Sequence, residues 1–263
     1  MPKVNANGTE VHYRDTGSGK DVVLLLHAFP LHSGMWSRQI AALEKKHRLI
    51  APDYRGLGKS APPREPSTMD LLAHDVRALL EHLRIERAAV AGLSMGGYLA
   101  FELYRQAPAL FRGIALCDTR AAADTDEGKA NREKFAKTTV EKGLGWVSEE
   151  MIPKLLKPQP DAAAVKEVRD LIAHGTPAGV AAAQRGMALR PDSSPTLAAI
   201  QCPALVVTGA EDTLIPVAEA EKMAKAIRGA KLVKVPGAGH LPNIENPEPF
   251  TKALAQFFGG LPA

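Results

Sequence analysis

Ser94 stands between Gly92 and Gly96 in the run "VAGLSMGGYLAFEL", where an apolar, β-rich stretch passes directly into an amphipathic one. A hydroxyl at such a junction suits covalent catalysis by G-x-S-x-G. A strand that turns straight into a helix forces the residue at the bend into a strained backbone conformation. Strand and helix also approach closely, so the flanking positions must be small, and glycine has no Cβ. Ser94 then projects from the tip of the turn, above the N-terminus of the new helix. The free N–H groups and positive end of that helix favour an oxyanion. The N–H of Met95 is the first donor expected there.

A serine hydroxyl is a weak nucleophile and needs a base, and the base needs an orienting acid. The chain has eight histidines. His240 lies in "VPGAGHLPN", a glycine-rich loop after the last predicted strand, from which an imidazole can return over the sheet's C-terminal edge. His74, His82 and His174 fall within helical patterns, and His12 and His47 in or beside strand signals, where solvent-facing or core roles suffice. The acid is expected in a loop between serine and histidine. Asp212, three residues after Gly209 in "VVTGAEDTLIP", is preferred for its G-x-x-D spacing. Asp118, after "GIALC", also ends a strand and is the rival; Glu211 is a weaker neighbour.

These residues need a scaffold of strands whose ends converge. "DVVLLLH", "HRLIAPD", "RAAVAGL", "FRGIALCD", "CPALVVTG" and "AKLVKVPG" are short and continuously apolar, as parallel strands covered on both faces should be. "EVHYRDTG" alternates with period two, and Gly17-Ser18-Gly19 after it reads as a hairpin turn. Between the strands lie helical stretches. "MDLLAHDVRALLEHLRI" places Leu72, Val76, Leu79, Leu80 and Leu83 on one face. The last helix starts with Asn246 as N-cap, Pro247 at the first position and Glu248 in the first turn. Alternation of this kind predicts an α/β fold, a mostly parallel sheet flanked by helices. It fails over 120–195, where "DEGKANREKFAKTTVEKG", "VSEEMIPKLL", "DAAAVKEVRDLIAHG" and "PAGVAAAQRGMAL" are separated by Gly and Pro. That segment reads as a helical insertion between two core strands.

Composition narrows the function. The 263 residues carry 33 basic and 29 acidic side chains, well interspersed, for a net charge of +4. "EKKHR" at 44–48, the densest basic patch, reads as a solvated helix end, and nucleic-acid binding gains no support. "YRGLGKS" ends like a phosphate-binding loop, but Asp53 stands where that motif needs its first glycine, and "APPREP" rather than a helix follows. Cys117 and Cys202 form no C-x-x-C pair, so neither a zinc ribbon nor a redox motif is present. Cys117 reads as a small buried hydrophobe. No metal or cofactor is called for. The N-terminus lacks an apolar secretory core, and the longest aliphatic run falls far short of the roughly 20 residues of a membrane helix. The expected location is the cytoplasm, with no membrane partner.

The order Ser94, Asp212, His240 is that of an α/β-hydrolase. "LLHAFP", "DYRGLGKS", "GLSMGGY", "VVTGAEDTLIP" and "GAGHLPNIENPEPF" resemble that family's blocks in order and spacing over the whole chain. Within it, the chain resembles bacterial carboxylesterases, 3-oxoadipate enol-lactonases and cofactor-free perhydrolases. The resemblance implies an eight-stranded twisted sheet, with a core of 1–119 and 196–263 and a helical cap of 120–195. It also implies a second oxyanion donor, the N–H of Phe29 in "HAFP", where Ala28 replaces the family's usual glycine and narrows the backbone options. Serine at position 94 implies acyl transfer, where dehalogenases and epoxide hydrolases of this fold use aspartate. Trp36, Trp146, Met151 and Met187 are the candidates for the substrate pocket, and Arg120 or Arg185 would serve a carboxylate-bearing lactone. The expected partner is a small ester or lactone, and the expected activity ester hydrolysis on short to medium acyl chains. Lactonase action, a perhydrolase side activity and a non-catalytic binding protein on the same fold are the alternatives.

Overall fold

Short aliphatic runs form the centre of the sheet because both of its faces are covered. In the computed structural model, which describes residues 2–63 and 66–262, "VVLLL" is a strand with four of five residues buried. Arg64 and Glu65 of "APPREP" lie outside the described residues. The first half of the chain runs β1 (Lys3–Ala6), β2 (Thr9–Thr16), β3 (Val22–Leu26), α1 (Ser37–Leu43), β4 (Arg48–Pro52), α2 (Met69–His82), β5 (Ala88–Leu93), α3 (Met95–Gln106) and β6 (Phe111–Cys117). Four helices follow with no strand among them: α4 (Asp126–Leu155), α5 (Ala162–Ala173), α6 (Pro177–Ala188) and α7 (Ser194–Ala199). The chain closes with β7 (Ala204–Gly209), α8 (Val217–Ala226), β8 (Lys231–Val235), α9 (Pro242–Glu245) and α10 (Pro247–Gly259).

The eight strands form one sheet in the order β1-β2-β4-β3-β5-β6-β7-β8. β1 and β2 pair antiparallel, as do β2 and β4, and every other pairing is parallel. The six parallel strands therefore point the same way, and the loops after β3, β5, β6, β7 and β8 gather at one edge. Leu24, Leu25 and Leu26 are fully buried, each contributing about 1.5–3 kcal/mol by leaving water. Leu72, Val76, Leu79 and Leu80 of α2 are buried on one face, while Leu83 caps the helix half-exposed.

Three readings of local structure need correction. Gly17-Ser18-Gly19 does not make a hairpin, because β2 pairs with β4 rather than β3. The hairpin is one turn earlier, at Asn7-Gly8, where both residues have positive φ, as a two-residue turn requires. Gly17 and Gly19 instead let two backbones meet: a Cβ on either would stand 2.1 or 2.2 Å from the carbonyl oxygens of His47 and Lys46. The "EKKHR" patch is also not one solvated helix end. α1 stops at Leu43, Lys45 and Lys46 are exposed, His47 is buried, and Arg48 opens β4 in an ion pair with Asp15 at 2.7 Å. Asn246 precedes α10 as expected, but its Nδ2 donates to the Pro236 carbonyl at 2.8 Å instead of its side chain capping the helix.

The helical insert is stitched to the core by backbone: Ser67 N donates to Ala182 O at 3.1 Å and Thr176 N to Gly56 O at 2.9 Å, while Ser193 N to Ala121 O at 2.9 Å ties the two ends of the insert together. Gly179 packs so tightly on Gly56 that a Cβ there would lie 2.1 Å from the Gly56 oxygen. α4 bends at Gly143 (φ 76°), which separates its two helical stretches. Among the described residues, no helix is long and apolar enough to cross a membrane.

Candidate active site

β5 turns into α3 at Ser94 without a loop. Ser94 has φ 56° and ψ −114°, a conformation costing about 1–3 kcal/mol for a residue with a Cβ. The bend is held from three sides. Ser94 N donates to the Cys117 carbonyl at 2.9 Å, and Thr119 Oγ1 and the Gly97 N–H both bond the Ser94 carbonyl, at 2.8 and 2.9 Å. The glycines make it sterically feasible. A Cβ on Gly92 would lie 2.2 Å from Gly96 O, and one on Gly96 would lie 2.2 Å from Leu26 O. Ser94 is 8% exposed and lines a cavity of about 210 Å³.

The loops after β7 and β8 bring an acid and an imidazole together. His240 Nδ1 and Asp212 Oδ2 are 2.8 Å apart, and both side chains are fully buried. Asp212 Oδ1 accepts from the N–H groups of Leu214 and Ile215, at 2.8 and 3.0 Å, so the carboxylate is fixed at both oxygens. Nδ1 faces a carboxylate, so it carries the ring proton in neutral imidazole, which leaves Nε2 as the basic nitrogen. Nε2 is buried and makes no hydrogen bond among the described residues. Glu245 anchors this loop to the insert: its Oε2 accepts from Gly239 N and its Oε1 from Lys157 N, both at 2.8 Å. Burial raises the Glu245 carboxyl above the usual range. Glu211 is exposed, whereas the imidazole is fully buried and bonded to Asp212. Asp118 is buried beside the pair.

Phe29 and Met95 follow β3 and Ser94. Among the described residues neither backbone N–H has a protein acceptor. Two unengaged N–H groups flanking a buried serine are suited to a developing oxyanion. Ala28 is fully buried and is not among the residues with positive φ, so its methyl group costs that loop no strain.

The four pocket candidates divide. Met151 and Met187 line the cavity with Phe29 and Ser94. Trp36 does not: it is fully buried in the core, its ring 6.2 Å from Phe250 of α10. Trp146 does not line it either, but packs 4.8 Å from Phe135, which does. Which face of an inserted helix meets the cavity depends on how it docks, and α4 has no clear apolar stripe to announce that face. For the same reason sequence reasoning passed over Arg132 and Lys154, which also line the cavity. Arg120 lines it as well, whereas Arg185 pairs with Glu133 at 2.9 Å, away from the lining. Arg120, Arg132 and Arg190 all bond one buried carboxylate, Asp124. Burial alone would raise that acid, but Arg190 and Arg132 hold it well below the usual carboxylate range. Three guanidinium groups on one carboxylate leave this wall positive.

One trio of ligating side chains, Asp118, Asp212 and His240, is close enough among the described residues to share an ion. The Asp212 oxygens and His240 Nδ1 are already engaged in the hydrogen bonds above.

The chain belongs to the alpha/beta hydrolase fold family, whose family model matches residues 21–247, and it is a hydrolase. It is 39% identical to a thermophilic esterase from Thermogutta terrifontis solved with malate bound, over 98% of this chain and 97% of that one, with a TM-score of 0.94. It is 31% identical to the enol-lactonase from Burkholderia xenovorans LB400, over 98% and 100% of the two chains, with a TM-score of 0.89. It is 30% identical to 3-oxoadipate enol-lactonase 2 of Acinetobacter baylyi, over 92% of this chain and 96% of that one. The resemblance to esterases and enol-lactonases and the eight-stranded, mostly parallel fold both hold.

Proposed function

We propose that this protein hydrolyses carboxylic esters of short to medium acyl chains through an acyl-enzyme on Ser94. The observation that carries this reading is the buried Asp212–His240 pair at the sheet edge where Ser94 opens into the cavity. Ser94 Oγ attacks the ester carbonyl while His240 Nε2 takes its proton. The carbonyl oxygen becomes an oxyanion and accepts from the N–H groups of Met95 and Phe29, each worth about 3 kcal/mol of barrier. The imidazolium, steadied by Asp212, returns the proton to the leaving alcohol. Water then attacks the acyl carbonyl as His240 removes its proton, and the acyl–Ser94 bond breaks as His240 returns that proton to Ser94 Oγ, releasing the free acid. The cavity of about 210 Å³ lies below the ~300–1,000 Å³ common for drug-sized ligands, which favours short acyl chains.

Lactone hydrolysis is the second reading, and the positive wall of Arg120, Arg132 and Lys154 favours it for substrates that carry a carboxylate. In a lactone the leaving oxygen stays tethered to the acyl group, and the chemistry is otherwise the same. The malate in the esterase of Thermogutta terrifontis is a dicarboxylate and fits this reading.

The test is a panel of p-nitrophenyl esters and lactones, with and without a carboxylate, on the wild-type protein and on Ser94→Ala. Turnover is expected to vanish in Ser94→Ala while the melting temperature holds, and a fluorophosphonate is expected to label Ser94. Retained turnover in the variant sinks the mechanism, and failure of the label favours a binding protein. Arg120→Ala is expected to raise KM about 10-fold or more for carboxylate-bearing substrates alone, the weight of a charged hydrogen bond. An equal effect on neutral esters would remove the case for an anionic substrate.

A further inference from the structure

β6 ends in a second buried acid that the proposed mechanism does not use. Asp118 is 1% exposed and has φ 42°, left-handed backbone that a residue with a Cβ adopts only under constraint. The constraint is visible. Its N–H donates to Val207 O at 2.9 Å, and its Oδ1 accepts from Gly209 N at 2.7 Å. Its polar atoms lie within 4.8 Å of those of Asp212 and His240. With both acids ionised, Oδ2 of Asp118 is buried and has no donor to face.

We propose that Asp118 is a positioning residue for the Asp212–His240 pair: its carboxyl group donates a hydrogen bond to Asp212 and steadies the carboxylate that orients the imidazole. This rests on the ester-hydrolase reading of the site.

Two adjacent carboxyls in a dry site do not both ionise. Which keeps the proton follows from the donors around each. Asp212 receives Leu214 N, Ile215 N and His240 Nδ1, all of which favour its charged form. Asp118 receives only Gly209 N. Asp118 therefore holds the proton, and its otherwise orphaned Oδ2 becomes the donor. Burial first, and then the charge of Asp212, hold its carboxyl well above the usual carboxylate range. The other groups facing it are Glu245, whose charge acts in the same sense, the His240 imidazole and the Cys117 thiol, itself pushed up by burial. An uncharged second acid leaves the negative charge on Asp212, where the imidazolium needs it.

The experiment combines a direct titration with two variants. In wild-type protein with carboxyl-13C aspartate, the Asp118 carbon is expected to keep the shift of a protonated acid through neutral pH. Titration in the usual carboxylate range overturns the proposal whether or not the protein is an esterase. Asp118→Asn keeps an acceptor for Gly209 and a donor for Asp212, so kcat is expected within about threefold of wild type; a loss above tenfold overturns the proposal. Asp118→Val removes the donor at similar size. It is expected to lower kcat by about 10²-fold, the scale of a small misplacement, with KM unchanged, and an unchanged kcat overturns the proposal. If the valine variant does not fold, the carbon titration and the asparagine variant still decide.

Discussion

Gly92 at the end of β5 lies against the carbonyl of Gly96 in the first turn of α3, with 2.2 Å between that oxygen and the place a Cβ would take. Real side chains do not approach a backbone oxygen so closely, and neither partner is the flexible end of a side chain. Gly92→Ala is therefore expected to displace the turn and to destabilise the protein by about 1–3 kcal/mol, the cost of overpacking, or more. Thermal melting checks it, and an unchanged melting temperature would contradict the close approach. Gly145→Ala is the control, since a Cβ there meets nothing within 4 Å.

Asp212 meets His240 through one oxygen and two backbone N–H groups through the other. Asp212→Asn preserves the shape but presents either an amide N–H or a weaker, uncharged acceptor to Nδ1. The imidazole then loses its tautomer preference and the imidazolium its counter-charge. kcat for ester hydrolysis is expected to fall by about 10⁴ with the fold intact. A loss under tenfold would move the orienting role to another acid.

Trp36 and Met151 separate core from cavity. Trp36→Ala removes a fully buried indole packed on Phe250 and is expected to cost about 3–5 kcal/mol of stability. Met151→Ala enlarges the cavity it lines and is expected to shift the preferred acyl chain upward, read as the ratio of kcat/KM for butyrate and acetate esters. A shift in that ratio with Trp36→Ala but not Met151→Ala would reverse the assignment.

His27 makes stability depend on pH. Burial lowers its pKa to about 4, against the opposing pull of Asp53 and of the Ala28 carbonyl that Nδ1 faces at 3.0 Å, while Nε2 accepts from Tyr54 N at 3.2 Å. A proton on Nε2 would set donor against donor. The unfolded chain binds that proton near pH 6.5 and the folded one only near 4, so the contribution is fully present above about pH 6.5. It is lost as pH falls toward 4, by about 3 kcal/mol in all. Urea unfolding of wild-type protein and His27→Gln across that window checks it. The variant is expected to show the shallower slope, and equal slopes would assign the acid sensitivity elsewhere, with half-buried His32 and buried His47, both also lowered by burial, as the next groups.

The candidate groups were legible where the signal is local. Ser94 follows β5 directly, Asp212 lies three residues after β7 and His240 five after β8, and the backbone at a strand's end dictates small residues and turns that can be read in one dimension. The α/β class was legible for the same reason, since a buried parallel strand needs no partner to declare its apolar run. Tertiary structure decided what depends on two distant segments meeting. Gly17 and Gly19 look like a hairpin turn until the backbone of His47 and Lys46 is set against them. Trp36 looks like a pocket residue until α10 covers it. Arg120, Arg132 and Arg190 lie in different helices or loops and are gathered by Asp124, which sets Arg120 and Arg132 side by side with Lys154 in the cavity wall. Asp118 and Asp212, 94 positions apart, become neighbours because β6 and β7 pair in parallel and end at the same edge. Local backbone geometry constrains which residue can occupy a position, so sequence by itself singled out Ser94, Asp212 and His240 as the candidate groups. Long-range packing sets which groups share a dry cavity and which keep their protons, and for this protein only the fold decided that.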